Sequence, residues 1–276
     1  MKSNKLIITI KAHILKALSR LTTFAIIGIS FLSISCQYLV PTNQPHIKGG
    51  ILDEAKIVLI GEDHGIDWII DKEFSIWKDL YNKGFRHLFI EISYFDGEYL
   101  NAWMRSKNDD IYEALFLDKK GTSFDNKDIY EFYKRIKREC PLTVFHGTDI
   151  GHQYDLTGKR FLEYLTKNNL QNSRLYNLTL ESISQGKKYY NDDLDRERYR
   201  ENCMAQNFIR EYKNIGNTRM VGIYGSAHTN YNKQAFFGDY PCMAKELRAH
   251  YGDVIYFENY RFNFGMRILR RLMHLF

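Results

Sequence analysis

Between residues 57 and 257 the sequence alternates short runs of β-branched and apolar residues with longer stretches of helical periodicity. Ile57-Val-Leu-Ile60, His87-Leu-Phe-Ile-Glu-Ile92, Leu142–Phe145, Thr218–Tyr224 and Val254–Phe257 read as strands. Helices are predicted at Trp68–Asn82, Glu98–Met104, Asp110–Leu117, Asp128–Glu139, Lys159–Lys167, Leu175–Lys188, Asp193–Ile215 and Cys242–His250. Gly84 ends the first of these, Pro141 follows the fourth, and Gly121–Asn126 reads as a loop. Strands joined through helices run in the same direction, because a tight turn joins only antiparallel neighbours. The expectation is therefore an α/β domain: a mostly parallel central sheet flanked by helices, with a helical insertion at about residues 158–190.

Composition agrees with such a domain and excludes other classes. Of 276 residues, 44% are hydrophobic, too many for a disordered chain, and the 4 prolines are too few for a linker-rich one. Four cysteines do not make a disulfide scaffold. The formal charge of +6 (39 − 33) is carried mostly by the amino terminus, where residues 1–35 hold Lys2, Lys5, Lys11, Lys16 and Arg20 and no acid. Without them the balance is 34 − 33 = +1, which removes the electrostatic case for a nucleic-acid partner.

Those five cations precede an uncharged run, Leu21–Ser35, and then Cys36. A basic region, a short apolar stretch and small residues form the layout of a secretory signal. Ser33-Ile34-Ser35-Cys36 resembles a bacterial lipobox, which would acylate Cys36 and tie the chain to a membrane through its lipid. The alternative is an uncleaved anchor, since Leu21–Val40 gives about 20 uncharged residues, enough to span a bilayer. A third reading is a cleaved, soluble protein; under all three the expected location is extracytoplasmic, periplasmic or surface-exposed. The expected organisation is a signal segment at 1–35, a tether at 36–50, the α/β domain at 51–262 and a basic amphipathic segment at 263–276. The last would either lie on a membrane surface or dock on the domain as a terminal helix. Cys140, Cys203 and Cys242 show no zinc spacing and read as small buried residues.

In open parallel sheets, ligands sit beyond the carboxyl ends of the strands. The first strand is followed by Gly61-Glu62-Asp63-His64, and the second contains Glu91 near its end. The third leads into His146-Gly147-Thr148-Asp149, and the fourth into Gly225-Ser226-Ala227-His228. Each group alone is ordinary turn chemistry; four strands delivering His, Glu or Asp to one edge are a candidate site. The repeated Gly-x-x-His would turn the chain off the strand and hold an imidazole at the edge. His64 and His228 with the Glu91 carboxylate would bind a divalent metal, or without metal serve as general base and stabiliser of developing charge. In Arg200-Glu-Asn-Cys-Met-Ala-Gln-Asn207, positions 200, 204 and 207 share a helix face, which would aim a cation and an amide together. The alternative for Arg200 is a solvated salt bridge on an ordinary helix.

This set resembles the erythromycin esterase-like, ChaN-like and Tiki superfamily over roughly residues 55–230. The motifs that carry it are Gly61-Glu62-Asp63-His64, the acid ending the second strand, Gly147-Thr-Asp149, Arg200-Glu-x-x-Met-Ala-x-Asn207 and Gly225-x-x-His228. The resemblance implies a membrane-anchored hydrolase acting on a small-molecule ester or amide. His64 would deprotonate water, with Glu62 or Glu91 orienting it, and His228 would face it as second base, acid or metal ligand. Arg200 would stabilise an oxyanion or hold a substrate carboxylate, and Asp149 and Asn207 would contact substrate, with His152 able to take the place of Asp149. The ChaN branch implies instead a haem- or metal-binding surface lipoprotein without turnover. For that reading Tyr94, Tyr154 and Tyr224 are candidate haem ligands, tyrosinate being a known iron ligand.

Overall fold

The structure is a computed structural model that describes residues 55–191, 195–232, 234–235 and 238–260. The expected signal segment at 1–35, Cys36 and its lipidation, the tether at 36–50 and the segment at 263–276 lie outside the described residues. Among the described residues no helix is long and apolar enough to cross a membrane.

Five strands form one sheet: β1 (Ile57–Glu62), β2 (His87–Ser93), β3 (Val144–Asp149), β4 (Met220–Gly225) and β5 (Ile255–Asn259), in the order β3-β2-β4-β1-β5. All four neighbouring pairs are parallel. The helices are α1 (Asp67–Asn82), α2 (Tyr94–Arg105), α3 (Asp110–Asp118), α4 (Lys127–Glu139), α5 (Thr157–Lys167), α6 (Arg174–Asn191), α7 (Arg196–Asn214), α8 (Ser226–Thr229) and α9 (Met243–Tyr251). α5 and α6 are the expected helical insertion, placed between β3 and α7.

The strands are apolar along their length because both faces are covered. Val58 and Ile60 of β1, Leu88 and Ile90 of β2, and Val221 and Ile223 of β4 pack with Trp77 of α1, Trp103 of α2 and Phe132 of α4. On the other face Ile57, Leu59, Phe89, Met220 and Tyr224 meet Met204 and Phe208 of α7 and Met243 and Leu247 of α9. Each such aliphatic side chain contributes about 1.5–3 kcal/mol by leaving water, so the two-sided burial sets the register of the sheet.

Local chemistry sets several element ends. α1 stops at Gly84, whose φ of +96° an L-residue with a side chain adopts only under strain. Ser93 caps α2 by accepting from the Asp96 amide at 3.2 Å, and Asn126 caps α4 by accepting from the Asp128 amide at 2.7 Å.

Two strands start two residues later than expected: β4 at Met220 instead of Thr218, and β3, where the shift matters more. β3 begins at Val144, not Leu142, and His146-Gly147-Thr148-Asp149 lies inside it instead of following it. Pro141 and Leu142 form a turn closed by the Thr143 amide on the Cys140 carbonyl at 3.0 Å, which leaves Leu142 62% exposed. His146 therefore points sideways, stacked on Phe89 and 3.0 Å from the His87 Nδ1 atom, and only Asp149 reaches the carboxyl edge. Cys140, Cys203 and Cys242 are buried and not in disulfides.

Candidate active site

The register of the sheet brings four strand ends together. Glu62 is opposite Gly225 across β1 and β4, and Ser93 is opposite Asp149 across β2 and β3. A shift in β2–β3 pairing between Ile90 and Ser93 falls at the position of Glu91. Glu91 is buried and is the hub of the site. Its Oε1 lies 3.3 Å from His228 Nε2, 3.7 Å from His64 Nε2 and 2.6 Å from Arg200 Nη2. Its Oε2 accepts from the Gly225 amide. Two imidazoles separated by 164 positions (228 − 64) thus converge on one carboxylate.

Each imidazole has a second carboxylate behind it. Glu62 pairs with Nδ1 of His64, and Glu201 Oε1 is 2.7 Å from Nδ1 of His228. Glu201 is itself fixed, accepting from the Met243 amide at the start of α9 at 2.7 Å. The rings differ in access: the His64 side chain is 44% exposed and that of His228 11%. Burial opposes a proton on either ring, but the flanking carboxylates outweigh it. Glu62 and Glu91 push His64 up to about 11, and Glu91 and Glu201 push His228 up to about 10. Burial likewise works against a charged Glu91, yet His228, His64 and Arg200 hold its carboxyl well below the usual range.

Arg200 does not lie in solvent. Its Nε and Nη2 atoms donate to Asp149 Oδ1 at 3.0 Å and Oδ2 at 2.6 Å, a two-point grip, while Nη2 also serves Glu91. Asp149 is 1% exposed and also meets the Ile150 amide at 2.7 Å and His152 Nε2 at 3.2 Å. Burial alone would raise its carboxyl, but Arg200 and then His152 lower it. These contacts correct two expectations about substrate binding. Asp149 is sealed behind Arg200 and positions it. Asn207 is buried two turns along α7, donating to the Thr148 carbonyl at 3.1 Å and exchanging hydrogen bonds with Gln185 of α6. Neither side chain reaches open solvent. Arg200 in turn is engaged with the protein's own acids, which makes it the fixed counter-cation of the site. His152 joins the network beside Asp149 and bonds the Tyr190 hydroxyl through Nδ1 at 2.7 Å.

The glycines of the two Gly-x-x-His groups are needed for space, not for a sharp turn. A Cβ on Gly225 would stand 3.0 Å from His64 Nε2 and 3.1 Å from Glu91 Oε2; one on Gly61 would overlap the Asn259 and Thr229 side chains. Neither residue has a positive φ.

The donor set does not fit a divalent ion. Among the described residues no group of three or more His, Cys, Asp or Glu is arranged to hold a metal. The Arg200 guanidinium already occupies the place where a cation would neutralise Glu91 and Asp149. Haem fits no better. The Tyr224 hydroxyl is taken by Thr148 at 2.8 Å, burial raises both Tyr224 and Tyr94 above the ordinary phenol range, and Tyr154 packs on Tyr190.

Two groups escaped the sequence reading. Glu201 belongs to the Arg200-Glu-x-x-Met-Ala-x-Asn207 motif, but nothing in the sequence marks it for a role behind His228. Glu73 left a signal: it falls on the buried stripe of α1 with Ile69, Ile70, Phe74, Ile76 and Trp77.

Strand order and strand-edge site together define an α/β domain whose fold is shared by three solved proteins. The chain is similar to a crystallised protein of Bacillus cereus, with TM-score 0.57 and 14% identity over 80% of this chain and 71% of that one. It is similar to a variant of erythromycin esterase EreC in its open conformation, with TM-score 0.56 and 12% identity over 80% and 73%. A succinoglycan biosynthesis protein gives TM-score 0.56 and 13% identity over 79% and 70%. At these identities the likeness is one of fold. No protein-family model matches the chain, and no curated protein matches it.

Proposed function

We propose that the chain is a metal-independent hydrolase of the erythromycin esterase-like type, cleaving a small-molecule ester or amide with water activated at His64. The observation that carries this reading is the convergence of two Glu-backed imidazoles, Glu62–His64 and Glu201–His228, on the buried Glu91. Substrate and water approach from the exposed His64 side. His64, held by Glu62, takes a proton from water as the hydroxide adds to the carbonyl carbon, then returns it to the departing alkoxide or amine. His228, carrying a proton at neutral pH, supplies positive charge against the developing oxyanion from behind the site. Arg200 and Asp149 hold Glu91 in place between the rings.

Hydrolysis of a panel of p-nitrophenyl esters by the purified chain tests this. His64→Ala and His228→Ala should each lower kcat/KM by about 10²-fold or more, the range of general acid–base catalysis. Full activity in both variants sinks the assignment. The leader supports a second element of the proposal, that the domain works outside the cytoplasm on a lipid carried by Cys36. Cys36→Ala should then move the protein out of the membrane fraction, and an unchanged membrane fraction would overturn that element.

A further inference from the structure

A cavity of about 50 Å³ opens beside His64, walled by Ile70, Ile90, Ile129, Ile223, Phe124 and Phe132. Glu62 and Glu91 are among its lining residues, and so is a third carboxyl, Glu73. The first two are hydrogen-bonded or ion-paired, as described above. Glu73 is not: it is 5% exposed, and its Oε1 atom has no hydrogen-bond partner. A buried polar atom without a partner is costly and normally satisfied by a neighbour, a water or a ligand. An acid on the buried stripe of α1 serves no packing purpose, since an aliphatic residue would fill the same place between Ile70 and Trp77.

We propose that this cavity is a subsite for a short, uncharged aliphatic amide or acyl group of the substrate, with Glu73 hydrogen-bonding the polar end of that group. The inference rests on the hydrolase reading only in assigning the bound group to a substrate. Size limits the ligand: a water needs roughly 10–15 Å³ of such space, so the cavity takes about four heavy atoms. Charge limits it too. Burial, and then Glu62, raise the Glu73 carboxyl well above the usual range, which favours its protonated form, a group that both donates and accepts. An amide matches both capacities. An anion would meet Glu62 and Glu91 in the lining, and an ammonium would have to ionise Glu73 in an apolar setting.

Ligand-observed NMR on the full chain at pH 7 tests the subsite without requiring turnover. Propionamide should bind saturably in the millimolar range, hexanamide at least tenfold more weakly, and propionate not at all. Glu73→Leu and the cavity-filling Ile129→Trp should each weaken propionamide at least tenfold, while Glu73→Gln, which still donates and accepts, should stay within about threefold. Unchanged propionamide affinity in Ile129→Trp overturns the proposal, as does tighter binding of propylammonium than of propionamide. If Glu73→Leu does not fold, the Gln and Trp variants decide. Ester hydrolysis measured beside it separates the two ideas: binding without hydrolysis removes the enzyme reading and leaves the subsite standing.

Discussion

Removing the guanidinium of Arg200 is the most direct way to expose the electrostatics of this site. Arg200→Leu deletes three charge-assisted contacts, two to Asp149 at 3.0 and 2.6 Å and one to Glu91 at 2.6 Å. Glu91 keeps its two imidazoles, but Asp149 is left at 1% exposure with only the His152 ring and the Ile150 amide beside it. Breaking a buried ion pair by removing one partner costs about 3–5 kcal/mol. For a domain of this size each kcal/mol shifts Tm by about 2–4 °C, so the expected loss is roughly 6–20 °C. The pH dependence identifies the cause. In the native protein both carboxyls are held low, so their stabilisation is present above the unfolded carboxylate range near 4 and is lost as pH falls through the folded values. In the variant, burial without the guanidinium raises Asp149, and folding takes up a proton. The deficit against native protein is then largest at pH 7 and shrinks toward pH 5. Asp149→Leu added to Arg200→Leu should restore more than half of the lost Tm, because no unpaired charge remains. Thermal unfolding followed by circular dichroism reads all three. A loss below about 2 °C, or one equal at pH 5 and 7, would falsify the counter-cation role.

The remaining predictions concern the imidazoles and their supports. A base that the Glu62 and Glu91 carboxylates push up to about 11 is protonated at neutral pH, so kcat/KM should climb between pH 7 and 10. Solvent at the half-exposed ring screens part of that shift, placing the midpoint below 11, and a profile flat above pH 7 removes His64 as the base. Glu201→Gln should move the NMR titration of His228 from about 10 toward 6.5 and slow hydrolysis at least tenfold. In the native protein the same raised value makes the His228 contribution to stability complete below pH 6.5 and lost as pH rises through 10, so Tm should fall between pH 8 and 10. Gly225→Ala should cut activity at least tenfold with Tm changed by only a few degrees, since the new methyl meets His64 Nε2 at 3.0 Å without backbone strain. Chelator should leave rate and Tm unchanged, and haemin should show no Soret shift on addition of the chain.

What could be read from the chain, and what could not, divides along physical lines. β1, β2 and β4 were legible because they are buried on both faces, so apolar runs broken by helical periods have one economical arrangement. β3 was misplaced by two residues because its second half, His146-Gly-Thr-Asp149, carries none of that signal: it is held by pairing with β2 and by the Asn207 amide on the Thr148 carbonyl. The site followed the same rule. His64, Glu91 and His228 could be found because the carboxyl edge of a parallel sheet is a definite place, and strand order then forces those ends together. Glu201 could not, because its role depends on where α7 and α9 meet, and a charge on a charged helix carries no mark of its partner. Arg200 shows the limit most plainly: helical spacing aimed it correctly, yet only the packing of α7 against β3 decides that it faces two acids of the protein instead of a substrate. That choice explains how an edge with so many carboxylates stays folded. The His64 side stays open to solvent while the guanidinium neutralises the closed side.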